Sequence, residues 1–227
     1  TATQFMGCVR AGDRRVFEAP YLERRQRLIR MAVGECMAWD GSFLDEVIDG
    51  LWLISEETGW VVSAHNVDSH PGSPKPAERP LPDRENPVID LAAAQTAATV
   101  TLCCHLLAEK LDGVTPLIRR RVGAEVAERV LNPFFRRDDF WWMGMIRRDV
   151  NNWTPWILSN ILICLMYWEV DGALLQEGLV RVMEMLERYL ATIPEDGGCD
   201  EGAAYWNMAG AALLDCLELI HYATSGE

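Results

Sequence analysis

The chain lacks any Cys-x-x-Cys pair, although it carries seven cysteines: Cys8, Cys36, Cys103, Cys104, Cys164, Cys199 and Cys216. An odd number without paired spacing gives neither a zinc site nor a disulfide framework. Most of the seven fall in apolar helical patterns, where a free thiol packs as a small hydrophobe. That usage leans towards a reducing compartment. Histidine is scarce: His65, His70, His105 and His221 are the only four, and none stands at metal-ligand spacing from another. With no calcium loop either, neither metal nor cofactor is expected. Positive charge is in deficit, with a formal net charge of −13, which argues against a general nucleic-acid binder. No apolar run reaches the length of a membrane span, so no membrane partner is expected. No basic-then-apolar leader is present, and a chain that opens at Thr1 leaves export open. Alternating strand patterns and fixed-period repeats are missing as well.

What is abundant is apolar residues at helical spacing. Hydrophobic residues make up 49% of 227, enough to bury a sizeable core. The spacing predicts a first helix from Pro20 to about Ala38, with Leu28, Met31, Ala32 and Glu35 at helical intervals and Pro20 at the tolerant first position. Ser42 and Asp45 form a capping-box-like pair before a second helix whose Phe43, Val47, Leu51 and Ile54 share one face. A third, alanine-rich helix spans about Ile89 to Leu111 and ends at Gly113. Thr115–Pro116 and Thr154–Pro155 each read as a cap followed by proline opening a helix. The last two helices cover about Ala173 to Ala191 and Ala203 to Tyr222. Seven helices with short joins give an all-α class of antiparallel hairpins in one helical domain, residues 1–227.

Two irregular regions interrupt this pattern. Residues 59–87 hold six of the eleven prolines and read as a long loop, the kind that is functional or mobile in compact domains. Residues 136–153 are crowded with Trp141, Trp142 and Trp153 but weakly phased; such aromatics plug a core or line a cleft. Charge is uneven too. Between Val114 and Val150 eight arginines face five acids. Most of these arginines read as solvated faces and ion pairs, Glu125 with Arg129 at i,i+4 among them, while some can hold an acidic ligand.

Three stretches together resemble one family: "LWLISEETGWVVSAHN" (51–66), "NNWTPWILSNILICLMYWE" (151–169) and "GGCDEGAAYWNMAG" (197–210). They are similar to the N-terminal helical, alginate-lyase-like domain of heparinase II/III-like proteins, and the likeness runs from about residue 20 to the end. The resemblance implies an incomplete α/α toroid of helical hairpins, followed in the family by a β-sandwich that supplies a histidine to the site. No β-rich segment occurs in this sequence, so the resemblance implies a helical fragment lacking the sandwich, or an unusually short member. The sandwich is then a missing partner. Apolar surface left where it would dock predicts self-association.

The family's reaction is β-elimination at a uronic acid in an acidic polysaccharide or oligosaccharide. A base removes the C5 proton, fixed donors stabilise the charge growing on the sugar carboxylate, and an acid protonates the leaving oxygen at C4. By this resemblance Asn151 and Asn152 match the carboxylate-neutralising asparagine motif, since an amide donates without acquiring charge. Which of the two faces the sugar stays open. Tyr205 matches the catalytic tyrosine, whose ordinary pKa of roughly 10 must fall for it to act as a base at neutral pH. His65 falls in a segment close to the family's cleft. Glu57, with Glu56 beside it, and Glu201 offer carboxylates to sugar hydroxyls, and Trp153 and Trp206 offer faces for pyranose C–H groups. Trp153 stands where some lyases carry a histidine after the asparagine, a departure from the pattern. A non-catalytic glycan-binding domain of the same fold is the first alternative. A glycoside hydrolase on a related helical barrel is the second; it would need Asp200 and Glu201 as acid and base, and adjacent residues point in different directions. A structural helical-repeat protein is the third.

Overall fold

The computed structural model describes residues 1–66, 77–168, 170–199 and 201–226, and among them every regular element is helical. The described residues fall into two compact units, residues 1–66 with 77–133, and residues 134–226.

The first unit opens with two short helices, α1 (Ala2–Phe5) and α2 (Gly7–Ala11). Helix α3 (Arg15–Ala38) follows and packs on α4 (Leu44–Glu56) and α5 (Leu91–Leu106). It starts five residues before Pro20, so the proline lies inside the helix rather than at its first position. Helix α4 is not capped by Ser42. The Ser42 amide and hydroxyl both turn back to Asp40 Oδ1, and Phe43 takes the cap position without a side-chain bond. The turn is held instead by Glu35, whose two oxygens accept from the amides of Gly41 (2.9 Å) and Phe43 (3.0 Å). The alanine-rich helix is two helices: α5 ends at Leu106, and α6 (Ala108–Val114) leaves it at 79°. Asp90 caps α5 through Ala93 N at 2.7 Å. Helix α7 (Leu117–Val126) starts one residue later than the Thr–Pro signature predicts: Pro116 takes the cap position, the Thr115 hydroxyl before it accepts from Leu117 N at 3.3 Å, and the helix runs into a π-turn at Ala127–Leu131. Glu125 and Arg129, both buried, pair across it at 2.6 Å.

A short helix, α8 (Asn132–Arg136), straddles the boundary between the units. In the second unit α9 (Trp153–Tyr167) packs on both α10 (Gly172–Leu190) and α11 (Ala212–Ala223). Helix α9 is buried along most of its length, including Ile157, Leu158, Ile161, Leu162 and Leu165. Asp171 caps α10 through Leu174 N at 2.9 Å. Gly178 of α10 makes the closest approach: a Cβ there would stand 2.6 Å from Leu165 Cδ1 of α9. Among the described residues no single helix is long and apolar enough to cross a membrane.

Candidate functional site

The asparagine motif sits at the head of α9. Asn151 Oδ1 accepts from Trp153 N at 3.0 Å, and its backbone carbonyl accepts from Thr154 N. This is an Asx turn, so the Asn151 oxygen is used by the backbone. Asn152 is different. It is 3% exposed and takes the N-cap position, yet its side chain makes no capping bond and Oδ1 has no protein partner. A buried amide oxygen left unpaired costs free energy, about 1–3 kcal/mol, so this capacity is not spent on the fold. Thr154 does not cap the helix as the sequence suggests; its hydroxyl donates to the Trp142 carbonyl at 2.6 Å and ties the aromatic segment 140–143 to α9. Trp142, buried, stacks on Phe140 at 5.7 Å. Trp141 and Trp153, half-buried, meet with ring centres 5.1 Å apart, and Arg147 lies 5.3 Å over Trp141. The weakly phased stretch therefore plugs the core with one tryptophan and builds a surface with two.

The tyrosine motif opens differently from a plain helix. Gly197 and Gly202 both have positive φ, near 70° and 86°, which a residue with a Cβ adopts at a cost. After Gly202 a 3-10 turn at Ala203–Tyr205 leads through a π-turn at Asn207–Ala211 into α11. Tyr205 and Trp206 are exposed at 43% and 60%, and Glu201 is exposed beside them. Asp200 lies outside the described residues. Cys216 Sγ stands 3.4 Å from the Pro155 carbonyl, which sets the middle of α11 against the first turn of α9. Burial pushes the Cys216 thiol up, so it stays a packed, protonated group. Tyr205 lies eleven residues upstream of Cys216, before the π-turn that leads into α11. No described hydrogen bond or ring contact joins Tyr205 to Asn151 or Asn152, and no described cation pairs with it.

His65 and Glu57 belong to the first unit. His65 closes a 3-10 turn, Ser63–His65, with Nδ1 2.8 Å from Asp90 Oδ2. Asp90 is fully buried and also accepts from Val62 N at 3.3 Å, so the histidine ring is oriented by the same carboxylate that caps α5. Glu57 is held by two guanidinium groups: Arg24 Nη1 reaches Oε1 at 2.5 Å, and Arg25 bonds both oxygens. Arg25 is buried, lies over the Tyr21 ring at 3.4 Å and donates to Thr96 Oγ1 at 3.1 Å. The Tyr21 hydroxyl, in turn, donates to the Trp60 carbonyl at 2.6 Å, and burial raises its pKa. Arg24, Arg25 and Tyr21 escaped the sequence reading. The only available signal was their i,i+3 and i,i+4 spacing on α3, opposite the Glu56–Glu57 pair.

Most of the arginine clusters are ion pairs, as expected. Arg119 meets Asp112 at 2.6 Å, Arg121 meets Glu125 at 2.9 Å, and Arg137 meets Asp139 at 2.7 Å. Among the described residues no group of histidine, cysteine and carboxylate side chains is arranged to hold a metal ion. No family model and no curated protein matches the chain.

Proposed function

We propose that this chain is the helical domain of a polysaccharide lyase-like protein of the heparinase II/III type, with the toroid arrangement of that group, acting on uronic-acid-containing polysaccharide by β-elimination. The observation that carries this reading is Asn152, a buried asparagine at a helix head whose amide oxygen has no partner in the protein. Rotation of the amide by half a turn presents its NH2 at the same point. A neutral donor of this kind stabilises a carboxylate as negative charge builds on it; Oδ1 is closed to solvent in this arrangement, so substrate must open the head of α9 to reach it. Tyr205 fits the proton-transfer role: it is exposed, and its hydroxyl takes part in no described hydrogen bond. The residue order Asn151–Asn152 and then Tyr205, inside the motifs that carry the resemblance, supports the same reading.

A second reading is favoured by one geometric fact. Tyr205 has no described contact with the asparagines, and among the described residues no cation pairs with it. A chain in this arrangement binds glycan without turning it over. The two readings part in one assay. Elimination leaves a C4–C5 double bond conjugated to the carboxylate, which absorbs in the ultraviolet. Incubation with a panel of polyuronates and glycosaminoglycans is expected to generate that chromophore, and Tyr205→Phe and Asn152→Ala each to lower its rate at least about a hundredfold, the usual scale for loss of a general acid–base or a fixed donor. Absence of the chromophore together with retained glycan binding selects the second reading.

A further inference from the structure

A cavity of about 370 Å³ opens in the first unit between α1, the head of α3 and the turn that follows α4. That volume lies in the range of small-molecule sites. One wall is apolar, built by Phe5, Phe17, Pro20 and Pro82. Phe5 braces Phe17 edge-on, with ring centres 4.8 Å apart, and Phe17 itself remains half-buried. The lining also carries the polar side chains of Arg24, Glu56 and Glu57.

The guanidinium of Arg24 is only partly used. Its Nη1 is fixed on Glu57 Oε1 at 2.5 Å, while no described bond involves Nε or Nη2, and the side chain is 44% exposed. Those two nitrogens form one edge of the guanidinium plane, the edge that donates two parallel hydrogen bonds to a carboxylate. Glu57 already accepts three hydrogen bonds, from Arg24 and Arg25 at Oε1 and from Arg25 at Oε2, so most of its acceptor capacity is spent on the two arginines. Its role is therefore to hold Arg24 in place. Glu56, exposed on the rim, has no described partner and accepts from hydroxyl groups.

We propose that this cavity binds a pyranose unit bearing a carboxylate, with Arg24 as the carboxylate anchor, Glu57 as the residue that positions Arg24, and Phe17 as the platform for the sugar's C–H face. The proposal rests on the reading of the chain as a protein that handles uronic-acid polysaccharide, and adds a binding subsite in the first unit.

The test is calorimetric titration of the full chain with trimers of galacturonate, mannuronate and a glucuronate-containing glycan, each beside its methyl ester. The acid of at least one pair is expected to bind about tenfold more tightly than its ester, the scale of a charge-assisted pair. Arg24→Gln is expected to erase that preference while leaving the ester's affinity unchanged, and Arg24→Lys to restore part of it, since lysine keeps the charge but not the planar edge. Phe17→Ala is expected to weaken acid and ester alike. Circular dichroism establishes that each variant is folded. A preference that survives Arg24→Gln, or binding indifferent to Phe17→Ala, overturns the cavity as the site; ultraviolet product formation by the intact chain would then leave the lyase reading standing. If no trimer binds and no chromophore forms, the cavity and the functional reading fall together.

Discussion

Glu35 is a carboxylate buried where helical spacing places an apolar face. It occupies the inward face of α3, fully buried, and its carboxylate meets Lys110 Nζ at 2.7 Å as well as the amides of Gly41 and Phe43. The Lys110 ammonium, and then those amides, hold its carboxyl below the ordinary carboxylate range. A carboxyl whose pKa is lower in the folded than in the unfolded chain stabilises the fold above the unfolded value, near 4, and stops doing so as pH falls through the folded value. Glu35→Gln is therefore expected to lower the thermal midpoint at pH 7, and the gap to the unaltered chain is expected to close as pH falls below about 4. Melts followed by circular dichroism across that range check it, and a gap independent of pH would remove Lys110 from the explanation. The face that Glu35 occupies was legible from helical spacing. Its partner was not, because Lys110 lies on another helix 75 positions away. The same limit applies at the candidate sites. The motifs locate Asn152 and Glu57, but only packing reveals that one keeps an unused amide oxygen and the other is consumed by Arg24 and Arg25.

At the scale of elements, pattern located the helices well and their ends less well. Periodicity marks where an apolar face exists; the first and last turns depend on local hydrogen bonds that compete with one another. Ser42 prefers Asp40 to the head of α4, and Thr154 prefers the Trp142 carbonyl to the head of α9. The alanine-rich helical pattern from 89 to 111 concealed the bend at Leu107, because helical spacing carries on through Ala108–Leu111 and the change in direction leaves no mark on it. Packing between helices gives a sharper prediction. Gly178 faces Leu165 and Phe135 so closely that an added Cβ would meet the Leu165 side chain, itself buried. Gly178→Ala sets a helix-propensity gain of about 1 kcal/mol against that contact and should be nearly neutral or mildly destabilising. Gly178→Val adds two more carbons to the same space and is expected to cost about 1–3 kcal/mol in urea denaturation. A neutral Gly178→Val would mean that α9 and α10 separate easily, contrary to their close approach.

For the molecule as a whole, two opposing terms govern how copies meet. The net charge of −13 drives them apart at pH 7. Apolar surface pulls the other way: α11 turns Ala212 and Cys216 inward but leaves Leu214 at 65%, Leu217 at 48% and Tyr222 at 75% exposed, with Trp206 preceding them. Charge repulsion acts over a screening length of about 10 Å at 0.1 M salt and shrinks to about 3 Å at 1 M, whereas apolar contact is not weakened by salt. Self-association is therefore expected to rise with ionic strength, and again as pH falls towards the isoelectric point near 4.8, where the net charge vanishes. Static light scattering on a dilution series at about 20 mM and about 500 mM salt measures it. Leu214→Glu with Leu217→Lys introduces opposite charges on the exposed face and should hold the mass at that of one chain under both conditions. A single-chain mass for the unaltered protein at every salt concentration and pH would show that this surface is too small or too dispersed to bring copies together. Association that persists in the double variant would assign the contact to other exposed groups, such as Met37 and Trp39 at the end of α3.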